Sequence, residues 1–287
     1  MDQRKVNAVP ANTFVTNPNL SQSVNFKNDA LRPYYGWGSL TAVETLSYSR
    51  YNAMMVRVSR RFANNVSVNF NYTRSKAMDI LDNDSDNIIN PFNIRQNWGP
   101  AGYDQPNVFT TDVVYDFPKV KGSLDNPFAR TLLNGWEMTG IFRAQSGVPI
   151  SIAANGDTKG VDSGSQFANL VGDAYAGQSN QRWLNPAAFQ RPQDGQYGNL
   201  GRNALRMPGI RNVDTSLIKN FAITETAKVA FRAEIFNLFN HPQIWGIDTG
   251  FSADNPGGSI SISNQKFGQP NSWREARILQ LALRFSF

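Results

Sequence analysis

The chain closes on Arg277-Ile278-Leu279-Gln280-Leu281-Ala282-Leu283-Arg284-Phe285-Ser286-Phe287, in which every second residue back from the end is apolar through Leu279. A period of two belongs to a β-strand with one apolar face. No polar tail follows the last aromatic. In a soluble sheet such a strand would be an exposed and adhesive edge, which natural folds avoid. The stretch therefore predicts a strand whose apolar face meets something other than water.

The same period recurs upstream. Met54, Val56 and Val58 alternate with Met55, Arg57 and Ser59; after an Ala63-Asn64-Asn65 turn, Val66, Val68, Phe70 and Tyr72 alternate with Ser67, Asn69, Asn71 and Thr73. That is the signature of a hairpin. Phe109 to Phe117, Trp136 to Ala144 and Val229 to Ile235 alternate in the same way. These segments run about ten residues, beyond the usual five or six of a sandwich strand and close to the nine to eleven that cross a bilayer at about 45°. Their polar sides carry Arg57, Asp112, Glu137, Arg143, Lys228, Arg232 and Glu234 in mid-strand, tolerable only where that side is wet or tightly paired. A wide barrel supplies both environments, with water in the lumen and lipid outside. These seven residues are thus expected to face a lumen. Tyr51, Phe62, Tyr72, Phe117 and Trp136 stand near strand ends, as interfacial girdles do. Leu279, Leu281, Leu283, Phe285 and Phe287 look like the assembly signal that barrel-insertion machinery reads. The expected fold is all-β, an antiparallel transmembrane β-barrel in the bacterial outer membrane.

Composition narrows the function. With 40% hydrophobic residues, 17% charged and a formal net charge of +6, the 287-residue chain folds but is not polyionic. No apolar run approaches eighteen residues, which excludes a transmembrane helix. The absence of Cys and a single His, His241, removes zinc-finger, thiol-protease, Ser-His and di-His chemistries. No catalytic group, metal or cofactor is expected. The sequence pI of about 9.6 would allow nucleic-acid contact, but Lys and Arg are scattered, with Arg60-Arg61 as dense a cluster as any, so no nucleic-acid partner is expected. Met1 to Ala8 lacks the apolar core of a secretory signal, so the chain reads as either cytoplasmic or incomplete.

Several segments resemble the C-terminal barrel of TonB-dependent outer-membrane receptors, in particular the Oar-like group with a carboxypeptidase-regulatory-like extension. They are Tyr51-Asn52-Ala53-Met54, Tyr72-Thr73-Arg74-Ser75-Lys76-Ala77, the run from Gly135 to Arg143 with Ser146-Gly147-Val148-Pro149, and Trp183-Leu184-Asn185-Pro186-Ala187-Ala188-Phe189. The strongest are Gly198-Asn199-Leu200-Gly201-Arg202-Asn203, the run from Val213 to Phe221 and the run from Phe231 to Pro242. They recur in the family's order from about residue 35 to the end, and Val6-Asn7-Ala8-Val9-Pro10 resembles the end of an earlier strand. The resemblance implies a receptor that binds a scarce small solute, such as a sugar, peptide or siderophore, and imports it when TonB pulls on a plug inside the barrel. It also implies about 22 strands. Those would use roughly 220 residues and leave about three for each connection, whereas 79–106 and 155–210 are far longer. With nine or ten strands expected and no plug domain, residues 1–287 read as the C-terminal part of such a barrel, with outer-membrane lipid and the assembly machinery as partners and TonB reached through a plug segment outside this chain.

Three local motifs have plainer readings. Asp82, Asp84 and Asp86 alternate like the carboxylates of a Ca²⁺ loop, but Asn87 and Asn93 stand where that loop needs Gly and Glu; a solvated loop is expected. Gly195, Gly198 and Gly201 lack the spacing and the βαβ context of a phosphate-binding turn. His241 lies in a turn before Pro242. The long 155–210 connection, which a compact fold keeps for function or leaves without order, carries Arg182, Trp183, Arg191 and Tyr197 as candidates to face a ligand, with an internally ordered loop as the equal alternative. The rival from another class is a secreted, soluble β-sandwich that binds carbohydrate.

Overall fold

The computed structural model describes residues 2–5, 7–8, 32–34, 36–38, 40–83, 88–120, 126–155, 165–193, 196–224, 226–250 and 265–287. Seven long strands form one antiparallel sheet: β1 (Ser49–Ala63), β2 (Val66–Asp79), β3 (Asn107–Asp116), β4 (Trp136–Gln145), β5 (Ile210–Ala222), β6 (Lys228–Phe236) and β7 (Ile278–Ser286). Each pairs with its neighbours in sequence, with Gly99–Pro100 added at the end of β2. The outer edges of β1 and β7 have no strand partner among the described residues. Nine or ten strands were expected from the alternation. The difference lies in short hairpins, such as Ile244–Ile247 with Pro270–Trp273, that belong to connections rather than to the sheet.

Period-two patterning survives pairing because the register keeps parity. Val58, Phe70, Thr111, Phe142 and Val213 fall in one row; Tyr115, Met138, Leu217, Ala233 and Leu281 fall in another row of the same face. Phe70, Phe109 and Phe142 touch edge to face along it, with ring centroids 4.9 and 5.4 Å apart. This apolar face is uncovered. Val58, Leu281 and Leu283 remain 59%, 61% and 69% exposed. A sandwich would need a second sheet here, and no other sheet among the described residues exceeds two strands. No described helix is long and apolar enough to cross a membrane.

The two ends of the sheet differ. At one end, β1 and β2 are joined by Asn64 and Asn65, both at positive φ (52° and 65°). Two left-handed residues make a type I′ turn, whose twist suits a two-residue hairpin and which Asn tolerates. The β5–β6 turn and the terminal strand end lie beside it. Between β3 and β4, α1 (Pro127–Leu133) is capped by Asn126, whose side chain accepts from Ala129 N at 2.8 Å; it buries no side chain. Phe117, Trp136, Phe221 and Phe285 line the apolar face near this end. Lys219 shares that face. It is covered by Trp136 and Phe221, 5.6 and 4.8 Å from their ring centroids, and its ammonium donates to the Asn134 carbonyl. Two of the expected girdle residues sit elsewhere. Tyr51 lies on the polar face opposite Ala77, and Tyr72 lies mid-strand opposite Phe109.

At the other end the connections 80–106, 146–209 and 237–277 are long, and the principal apolar core is found there. Ile152, Leu184, Phe189, Leu200 and Phe267 are at most 7% exposed and pack together, with the Phe189 and Phe267 rings 5.3 Å apart. An ion pair between Arg202 and Asp79 ties this cap to the sheet, and pairs of Arg202 with Asp82 at 2.8 Å and Arg206 with Asp104 at 2.5 Å join two of the connections to each other. Burial pushes the Arg202 guanidinium down to about 10, still cationic at neutral pH, so both carboxylates have a charge to answer. Gly147 sits where any Cβ would overlap the Met207 carbonyl, which lets Met207 N reach Val148 O at 2.9 Å.

Candidate functional site

The seven charged residues picked out by alternation share the sheet face opposite the apolar one. Arg57 is in register with Asn71, Thr110, Arg143 and Asn212; Asp116, Glu137, Ile218 and Arg232 form another row; Glu234 lies opposite Ser216. Asp112 lies opposite Asn69, and Lys228 opposite Ala222. Their neighbours are wired together. Ser59 Oγ donates to Asn69 Oδ1 (2.7 Å), Asn69 Nδ2 to Asp112 Oδ2 (2.7 Å), and Arg232 pairs with Glu234 at 2.7 Å. A face made this way is compatible with water.

Of the four loop residues picked out for a ligand, two are ties within the cap. The Arg182 guanidinium donates to the carbonyls of Phe267 (2.8 Å) and Gln265 (3.1 Å). Trp183 Nε1 donates to Arg206 O at 2.8 Å, and its ring meets Tyr175 edge on. Tyr197 packs against the cap core and Arg191 is half-buried. None of the four lines the cavity described below. The loop orders itself through its own aromatics because an indole and a guanidinium can each satisfy carbonyls that a Gly- and Asn-rich chain leaves unpaired.

In the acidic stretch, Asp84, Asp86 and Asn87 lie outside the described residues. Asp82 accepts from Gly102 N (2.5 Å) and from Arg202. Gly195 is also outside them. Gly198 is a packing glycine, since a Cβ there would overlap the Phe167 carbonyl. His241 is exposed, with its N–H donating to Asn237 Oδ1 (3.0 Å) in a turn that Asn237 holds at φ 52°.

A cavity of about 660 Å³ opens where the Ile244–Ile247 and Pro270–Trp273 hairpin overhangs the polar face of β4, β5 and β7. Arg143 and Asp214 rise from the sheet; Gln243, Trp245, Trp273, Arg274 and Glu275 come from the connection. Asp214 Oδ1 accepts from Asn212 Nδ2 and Asn237 N, both at 2.8 Å, which fixes the floor. Arg274 lies 4.3 Å above the Trp245 ring, and burial followed by the nearby Arg143 charge pulls its pKa down. Gln243, 7% exposed, donates from Nε2 to Asn212 Oδ1 at 3.2 Å. Its Oε1 is buried with no partner among the described residues. Alternation missed this group, Arg143 apart, because the 237–277 connection has no period. The available signal was chemical: two Trp and an Arg in one long connection, the residue types that anchor ligands.

A family model described as an outer membrane beta barrel domain matches residues 1–280. No curated protein and no solved structure matches the chain.

Proposed function

The chain belongs to the outer membrane beta barrel domain family, and from that premise we propose that it forms the C-terminal part of a TonB-dependent receptor that takes up a scarce small solute across the bacterial outer membrane, without a catalytic step. The observation that carries the reading is the division of the sheet: a hydrogen-bonded polar face, an uncovered apolar face, and a core confined to the long connections at one end. In a membrane barrel the apolar face meets lipid, the polar face a wet lumen, and the long connections lie outside the cell. The edges of β1 and β7, which have no strand partner among the described residues, suit a wall completed by further strands; seven make up about a third of a 22-stranded barrel. TonB acts through a plug segment outside this chain, and the assembly machinery reads β7.

The test uses the full-length receptor. It is expected to fractionate with the outer membrane, to migrate differently on gels when unheated, and to support solute uptake that stops when TonB is removed. Uptake that persists without TonB refutes the TonB-dependent reading. A protein that stays soluble and monodisperse without detergent refutes the barrel and returns the sandwich.

A further inference from the structure

We propose that the cavity under the Ile244–Ile247 and Pro270–Trp273 hairpin binds a small solute bearing a carboxylate with a hydrogen-bond donor close to it, and a flat face that stacks on Trp. The proposal rests on the uptake reading and assigns that receptor its site. Three features converge. Two guanidiniums, Arg143 and Arg274, border one cavity, and no carboxylate lies within ion-pair distance of either among the described residues. Burial first, and the Arg143 charge second, lower the hold of Arg274 on its proton, which an incoming carboxylate reverses. Arginine also offers a planar fork that matches a carboxylate.

Gln243 supplies the second feature. An amide atom buried without a partner is costly and calls for an explanation, which a ligand that completes it supplies. With Nε2 committed to Asn212, the free atom is the acceptor Oε1, so the ligand must bring an N–H or O–H. The third feature is the pair of indoles. Trp245 and Trp273 remain 61% and 46% exposed at the rim, available to a ring or to the apolar face of a sugar. Two carboxylates also border the cavity: Asp214, whose Oδ1 already accepts two hydrogen bonds, and Glu275; among the described residues neither forms an ion pair with Arg143 or Arg274, so both guanidiniums keep their charge for the ligand.

A free peptide C-terminus and a uronic-acid sugar share this chemistry, the first offering a backbone N–H beside its carboxylate and the second a ring hydroxyl. The experiment separates them. Full-length receptor in detergent is titrated with short peptides as free acids and as C-terminal amides, and with galacturonate and galactose oligosaccharides, following Trp fluorescence and heat release. Either free-acid peptides or galacturonates are expected to bind, with the amides or neutral sugars at least about tenfold weaker. Arg274→Gln and Arg143→Gln are each expected to lose about tenfold while heat-modifiability is kept. The fluorescence change is expected to disappear in a Trp245→Phe, Trp273→Phe double variant.

Equal binding of acids and neutral counterparts, unchanged affinity in both Arg variants, or no binding of either class by the folded receptor overturns the site. Gln243→Leu, which removes the orphan acceptor and keeps the volume, is expected to weaken binding with the fold intact; unchanged affinity removes the amide's role and with it the requirement for a donor. Carboxylate binding without TonB-dependent uptake leaves this site standing and sinks the transport reading. TonB-dependent uptake indifferent to both Arg variants does the reverse.

Discussion

Phe231 and Arg232 are adjacent in β6 and point to opposite faces of the sheet, Phe231 opposite Lys219 and Leu283, Arg232 opposite Ile218 and Ala282. If the apolar face meets lipid, Phe231→Arg is expected to cost roughly 2–4 kcal/mol near the bilayer midplane, whereas Arg232→Ala, which loses a half-exposed ion pair with Glu234, is expected to cost under about 1 kcal/mol. The amount of heat-modifiable protein in outer membranes reads the difference, and equal defects would abolish the face assignment. Arg202 makes a different prediction because it is buried with Asp79 on one side and Asp82 on the other. Arg202→Met strands Asp79 without its charge partner and is expected to loosen the cap by roughly 3–5 kcal/mol. Adding Asp79→Asn should return part of that; a double variant no better than the single would show that packing, not charge, holds this corner.

At the level of elements, what alternation can report and what it cannot are cleanly divided. Each residue of a long strand has one of two sides, so Met54, Val56 and Val58, or Trp136, Met138 and Phe142, declare their face directly, and the register carries that choice from strand to strand. The Asn64-Asn65 turn was legible for a similar reason, since few residues accept positive φ. The connections have no such rule. Arg182 and Trp183 looked free to meet a ligand because composition names side chains but not the carbonyls they reach, and Gln243 was silent because its unpaired oxygen exists only once the 237–277 connection has folded over β5. The third long connection was missed for the same reason.

The last strand carries a prediction of its own. Among the described residues β7 joins the sheet only through β6, with Leu279, Leu281, Leu283 and Phe285 on the apolar face and Phe287 fully exposed beyond its end. Deleting Phe287 is expected to lower the folded protein in the outer membrane more than deleting the exposed cap residue Gln178. Matched levels after the two deletions would show that the terminal aromatic is no assembly signal.

For the whole molecule, the position of the core has a consequence for what holds each part together. The cap is stabilised by water's exclusion from Phe189, Phe267, Ile152 and Leu184, as any globular domain is. The sheet fully buries few side chains against protein, so much of its stability is borrowed from the surrounding hydrocarbon. The chain thus answers to two solvents. Stripping detergent from the protein is expected to leave slow hydrogen exchange at cap amides such as Ala168 N and Val171 N, bonded to Ile152 O and Ala188 O at 2.9 and 2.8 Å, while strand amides in β6 and β7 exchange quickly. Simultaneous loss of protection in both would mean that the cap leans on the wall. With separate protection, bilayer thickness and lipid type tune the wall alone, and the cap keeps its shape whatever membrane the cell makes.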